Sequence, residues 1–354
     1  MREVLAEWRP IVDREIEHLL PREIDAAYVA DFFGEPTYRY DPAAIQGALS
    51  TPVWDLLDRG GKRWRAVVCC LLIEAFGADP HEYLPYACIP EILHNGTIIV
   101  DDVEDGATMR RGDPALHHVY GTDVALNAGN AMYFLPLKVI ARDPAGLPPE
   151  RRLAAYEMLM DELNRTHLGQ GMDIRWHNER SIEVSEAEYL EMCACKTGCL
   201  GRIVARLAAI VTDQPPEVER RAARFAERMS IAFQIGDDIL DVEHAATEGG
   251  AFGKGIGNDV REGKRTLLAI HAAANAPPER AARLETILRA PENTDDEVTE
   301  AVEILRTGGS VEYARERALS LAAEARTHLD ELDLAAEPAE HLAAFTRFVV
   351  ERDA

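Results

Sequence analysis

The sequence is short of lysine. Only Lys62, Lys138, Lys196, Lys254 and Lys264 occur, against 33 arginines, in a chain of 354 residues with a formal net charge of -24. So acidic a balance argues against nucleic acid or an anionic membrane as a partner. Two origins fit it: a coding bias toward arginine, or an acidic surface suited to high salt. Long apolar runs are missing too. The longest, "AVVCCLLI", is broken by Glu74 and is far shorter than the ~20 residues a membrane-spanning helix needs. The first stretch, "MREVLAEWRPIVDREIEHLL", has neither a signal-peptide core nor the acid-poor composition of a transit peptide. The expectation is a soluble, cytoplasmic protein without a transmembrane segment. The six cysteines (Cys69, Cys70, Cys88, Cys193, Cys195 and Cys199) form no CxxC pair, which excludes the common zinc spacings. They read as free buried thiols in a reducing compartment.

Sustained β-branched alternation is nearly absent. Apolar residues instead recur at helical spacing, as in "YLEMCACKTGCLGRIVARLAAIV" and "RAARFAERMSIAFQIGDDILDV". Ala, Leu, Glu and Arg dominate, so propensity agrees with periodicity. Breaks fall at "DPAGLPPE", "TDQPPEVE", "TEGGAFGKGIGND" and "NAPPER", all short enough to join helices. The prediction is one all-α domain over residues 1–354, a single large helical bundle with no internal repeat. Residues 1 to about 45 read as an N-terminal helix plus a connector, with no chemistry assigned.

Charge is concentrated in a few islands. "VDDVEDGATMRRG" (100–112) holds four carboxylates within five positions, followed by Arg110 and Arg111. Asp101, Asp102 and Asp105 form a DDxxD pattern, and positions i and i+4 of a helix share one face. A second copy, Asp237, Asp238 and Asp241, follows another apolar helical stretch in "FQIGDDILDV". Two such clusters could face each other across a bundle, and hard oxygen donors of this kind suit Mg²⁺, which shares its coordination sphere readily with phosphates. The spacing is not that of an EF-hand. The cations fall in islands of their own. Lys62 and Arg65 sit in "GGKRWR", Lys196 and Thr197 in an apolar helix, and Lys254 and Lys264 around "GKGIGNDVREGKRT". This last segment is not a P-loop. Together the islands read as a local field for an anion, with metal-bridged diphosphate on one side and direct Lys/Arg contacts on the other.

The ordered motifs "GGKRWR", "HNGTIIVDDVEDGATMRRG", "GQGMDIRW", "KTG", "FQIGDDILD" and "GKGIGNDVREGKRT" resemble those of trans-isoprenyl diphosphate synthases, the polyprenyl synthetase family. The resemblance covers about residues 45 to 270, with a compatible helical tail. It implies an all-α bundle with a central active-site cavity and a head-to-tail (1'-4) condensation of isopentenyl diphosphate with allylic diphosphates (dimethylallyl, geranyl or farnesyl). It also implies three Mg²⁺ ions, two on Asp101, Asp102 and Asp105 and one on Asp237, with Asp238 and Asp241 in support. By the same resemblance, Lys196, Lys254 and Arg110 grip the allylic diphosphate, while Lys62, Arg65, His94 and Arg111 hold isopentenyl diphosphate. Thr197 and Gln234 lie near the cation, and Lys264 is a lid or diphosphate contact. Glu104, Gln170 and Asp173 are expected in supporting or structural roles, and His117 and His118 at the surface. A homodimer is the family's common state.

Product length in this family depends on an apolar tunnel below the first acidic cluster. Gly96 and Thr97 leave room there, and Tyr133 and Phe134 are expected as its floor, which together point to a C20 product, geranylgeranyl diphosphate. C15 and C25 or longer are the alternatives. A terpene cyclase or a silent regulatory subunit fits less well, because "GGKRWR" and both acidic clusters are complete.

Overall fold

Almost every apolar stretch winds into helix. The computed structural model describes residues 1–179, 183–244 and 257–350. Among them the only strands are β1 (Met109–Arg110) and β2 (Asp113–Pro114), paired antiparallel. Helix boundaries follow local chemistry. Ser185 and Glu188 form a reciprocal capping box at the start of Glu186–Lys196, and Thr294 and Glu297 do the same for Asp295–Thr307. Pro90 opens Ile89–Glu104, where its missing N–H costs nothing.

The helices pack as two compact units. The first comprises residues 1–158, 206–215 and 334–339; the second comprises 159–205, 216–333 and 340–354. The first 45 residues form more helix than a single element and a connector, with Arg2–Leu19, Ala26–Phe33 and the short turn Pro42–Ile45. Three of the expected breaks end helices, at residues 143, 212 and 276; the fourth, residues 247–259, lies mostly outside the described residues. All six cysteines are free and buried. Their thiols are pushed up by burial, which keeps them protonated and inert, as at Cys69 and Cys88.

In the first unit, the helix Ile89–Glu104 lies against Thr122–Arg142. Their contact is a close approach at two glycines. A Cβ on Gly96 would meet the Gly129 carbonyl oxygen at 2.9 Å and the Met132 Cβ at 2.6 Å, and one on Gly129 would meet Val100 at 2.8 Å. Thr122–Arg142 is also the one helix, among the described residues, long and apolar enough to cross a membrane. Here it carries Ala125, Ala128, Met132 and Val139 into the core.

In the second unit, the helix Pro216–His244 runs beside Ser310–Asp330 and buries Ile231, Ile235, Ile239 and Val242 in a core with Leu267, Leu268 and Val298.

Candidate active site

The helix Ile89–Glu104 sorts its residues by face. Ile92, Asn95, Ile99 and Asp102 follow the buried stripe, while His94, Thr97, Asp101 and Asp105 are half-buried along another. Asp102 is therefore not placed like its two neighbours. It is 2% exposed, and its Oδ1 accepts from Arg110 Nε at 2.7 Å as well as from Nη2. Asp102 faces inward because position 102 rotates onto the core stripe, and Arg110 balances that buried carboxylate.

Arg110 and Asp113 are cross-strand partners, so Arg111 and Gly112 form a two-residue turn. Both have positive φ, 54° and 85°, as a type I′ hairpin requires. A side chain in that region costs ~1 kcal/mol, and three hydrogen bonds offset it at Arg111. Its Nη1 donates to the carbonyls of Leu56 and Gly60 at 2.8 and 2.9 Å, and its Nη2 to Asn95 Oδ1 at 3.1 Å. Asn95, fully buried, in turn donates to Glu91. Burial, then the nearby Arg63, pushes the Arg111 guanidinium down to about 10. The His94 imidazole is held well below its ordinary value, first by desolvation and then by Arg65, Arg111, Arg110 and Arg63. A neutral ring thus stands among four guanidiniums. Arg65 is buried and lies 4.3 Å over the Trp64 ring, while Lys62 is exposed. So much desolvated positive charge suits a polyanion.

The tunnel residues divide. Gly96 faces neither space nor solvent; Met132 fills the place a side chain at 96 would take. Thr97 is half-buried, and its hydroxyl donates to the His94 carbonyl at 2.8 Å. Tyr133 is half-buried, but Phe134 is 66% exposed. An aromatic floor at Phe134 is therefore corrected: its position on the helix points away from Met132 and Leu135, which are buried.

The second unit repeats the sorting. Ile231, Ile235, Asp238 and Val242 follow the core, while Gln234, Asp237 and Asp241 are half-buried. Asp238 Oδ2 accepts from the Tyr189 hydroxyl at 2.6 Å and Oδ1 from Gln234 Nε2 at 3.0 Å. Burial raises its carboxyl to about 7. Gln234 then accepts from the Thr197 hydroxyl at 3.0 Å, so one chain of hydrogen bonds joins Tyr189, Asp238, Gln234 and Thr197. Asp241 accepts from the backbone N–H groups of Asn258 and Asp259 at 3.2 Å each, which ties the second acidic helix to the start of Asn258–Glu262.

Thr197 lies at the break between Glu186–Lys196 and Gly198–Val211. The long helix Pro149–Glu179 approaches that break through Gly169, where a Cβ would meet the Cys195 carbonyl carbon at 2.8 Å. One turn on, Asp173 pairs with Lys196 Nζ at 2.5 Å, which gives the "GQGMD" segment a definite role. Lys264 pairs with Glu262 at 2.6 Å. Lys254 lies outside the described residues. His117 is half-buried and His118 exposed, their rings 4.1 Å apart.

Every donor in the two acidic clusters is a carboxylate oxygen, which fits Mg²⁺. Among the described residues no three ligating side chains converge on one point.

An all-helical fold bearing two aspartate clusters and a desolvated arginine patch defines an enzyme class built to handle diphosphates. The chain belongs to the polyprenyl synthetase family, whose model matches residues 46–305, and is a prenyltransferase. It is 33% identical to a geranylgeranyl pyrophosphate synthase of Geoglobus acetivorans, over 84% of this chain and 88% of that one. A geranylfarnesyl diphosphate synthase of Aeropyrum pernix is 32% identical over 92% and 98%. Among solved structures, the geranylgeranyl pyrophosphate synthetase of Pyrococcus horikoshii superposes with a TM-score of 0.83 at 28% identity, covering 99% of both chains.

Proposed function

We propose that this protein is a Mg²⁺-dependent head-to-tail prenyltransferase that extends allylic diphosphates with isopentenyl diphosphate to geranylgeranyl diphosphate, C20. The observation that carries the reading is the cationic patch of Lys62, Arg65 and Arg111 near His94, beside the first acidic cluster, with Arg63 and Arg110 already paired to Asp13 and Asp102. A terpene cyclase, with one diphosphate substrate, has no use for a second cationic site.

In this reading Lys62, Arg65, His94 and Arg111 hold isopentenyl diphosphate, His94 as a neutral hydrogen-bonding ring. Asp101, Asp105 and Asp237 would hold Mg²⁺, with Asp102, Asp238 and Asp241 fixing their surroundings, and the ion would supply Lewis-acid stabilisation to the charge of the diphosphate. Lys196, steadied by Asp173, with Lys254 and Lys264, adds positive charge at that leaving group, and the C–O bond ionises to an allylic cation. The hydroxyl of Thr197 and the carbonyl of Gln234 present oxygen dipoles to the cation. The double bond of isopentenyl diphosphate attacks C1 of the cation, and the proton lost goes to the released diphosphate.

Two observations support C20 over C15. No aromatic ring stands at the half-buried position 97, and on the neighbouring helix Thr122–Arg142 Met132 is buried against Gly96 with Tyr133 half-buried beside it. The geranylfarnesyl relative keeps C25 as the second reading. A homodimer in the cytoplasm, where six free thiols stay reduced, completes the proposal.

The test is incubation with isopentenyl diphosphate, Mg²⁺ and each allylic primer, followed by chromatography of the dephosphorylated products. A main C20 alcohol is expected. Elongation of no primer sinks the proposal, and a main C15 or C25 product overturns its chain-length part.

A further inference from the structure

Arg63 lies between Lys62 and Arg65 yet touches neither acidic cluster. It is 2% exposed and spends its whole guanidinium on the protein. Nη2 donates to the Leu57 carbonyl at 2.8 Å, Nη1 to the Gly60 carbonyl at 3.0 Å, and Nε to Asp13 Oδ1 at 2.6 Å. Asp13 belongs to the N-terminal helix Arg2–Leu19, which precedes the family match at residue 46. The Gly60 carbonyl is shared, because Arg111 Nη1 donates to it at 2.9 Å. Arg63 and Arg111 are also two of the four non-glycine residues with positive φ among the described residues, at 52° and 54°. Both strained positions thus converge on one carbonyl oxygen. Strain of that kind persists only where the surroundings over-determine it.

We infer that Asp13 and Arg63 are positioning residues for isopentenyl diphosphate, and that the N-terminal helix is thereby part of its binding site. The chain of contacts is short. Asp13 orients Arg63, Arg63 fixes the loop from Leu57 to Gly60, and that loop holds Arg111 and leads directly into Lys62 and Arg65. Neither residue needs to touch substrate. A purely structural ion pair would act on the fold as a whole and on both substrates alike, whereas this pair acts on one.

The inference rests on the prenyl-transfer reading, and the experiment separates the two. Asp13→Asn keeps the size of the side chain and leaves the carbonyl bonds of Arg63 in place. KM for isopentenyl diphosphate should rise about tenfold, the scale of one lost charge-assisted hydrogen bond. KM for the allylic primer and kcat should stay within about twofold, the thermal midpoint should fall by several degrees because the buried Arg63 loses its carboxylate, and Asp13→Glu should restore most of both the affinity and the midpoint. Calorimetric titration with isopentenyl diphosphate alone should show the same weakening. If the wild type elongates normally and Asp13→Asn leaves this KM unchanged, or raises both KM values together, the inference is wrong while the enzymatic assignment stands. If the wild type neither binds isopentenyl diphosphate nor elongates any primer, both fall.

Discussion

The two acidic helices carry the same DDxxD spacing and treat it differently. In each, the first and third aspartates lie half-buried on one stripe and the middle one turns onto the core face. The middle carboxylate then needs compensation, and the two helices supply it in different ways. Asp102 meets a full positive charge in Arg110, while Asp238 meets two neutral donors, Tyr189 and Gln234. The ion pair balances the buried Asp102 carboxylate directly. The neutral donors do not fully replace water, so burial raises Asp238 instead. One sequence pattern therefore contains two placements, an outer pair left half-buried and an inner residue turned into the core. The inner residue is the one that distinguishes the two sites.

The largest effect should come from the outer pairs, where the two helices are alike. Asp101→Ala and Asp237→Ala should each lower turnover at least ~10²-fold at saturating Mg²⁺, through lost charge stabilisation of several kcal/mol. Circular dichroism should show the helices intact. Near-normal turnover in either variant would remove its metal role.

The inner residues should part company in stability. Asp102→Asn leaves Arg110 uncompensated in a partly buried place and should cost about 3 kcal/mol in urea unfolding of the metal-free protein. Asp238→Asn replaces a poorly solvated carboxylate by a neutral group of the same shape and should cost about 1 kcal/mol or less. Equal costs would erase the contrast drawn above.

The first acidic helix is also bound to its neighbour through Gly96. Gly96→Ala should destabilise by roughly 2 kcal/mol through overpacking on Met132 and Gly129, without shortening the product. Met132→Ala should shift the product toward longer chains, and Phe134→Ala should leave chain length unchanged. Chromatography of the products decides all three. A shorter product from Gly96→Ala would restore position 96 to the tunnel wall.

The smallest effect concerns the surface. Raising KCl from low to molar concentration should raise the melting temperature by a few degrees as the self-repulsion of a -24 chain is screened. The buried Asp102–Arg110 pair should contribute little to that change. A flat or falling curve would favour arginine bias in coding over adaptation to salt.

Much of the site could be read along the chain. The stripes that separate Asp102 from Asp101 and Asp105 follow from the helical period, and counting back through Ile99, Asn95 and Ile92 would have exposed them. The hairpin at Arg110–Asp113 was hidden, because Arg111 stands where a turn of this type favours glycine or asparagine. Gly96 was misread for a different reason. A small residue beside a motif signals room only if nothing fills it, and Met132, 36 positions away, is what fills it here.

By itself the sequence determined the helical class, the two carboxylate clusters and the islands of cations, because each depends on residues within one or two turns. Tertiary structure decided which of those charges are spent on each other. Asp173 with Lys196, Asp13 with Arg63, and Tyr189 with Asp238 are separated by 23, 50 and 49 residues. Nothing in local periodicity specifies such pairs. They form because a buried charge must find a partner among whatever groups the fold brings within reach, and desolvation makes failure to do so costly.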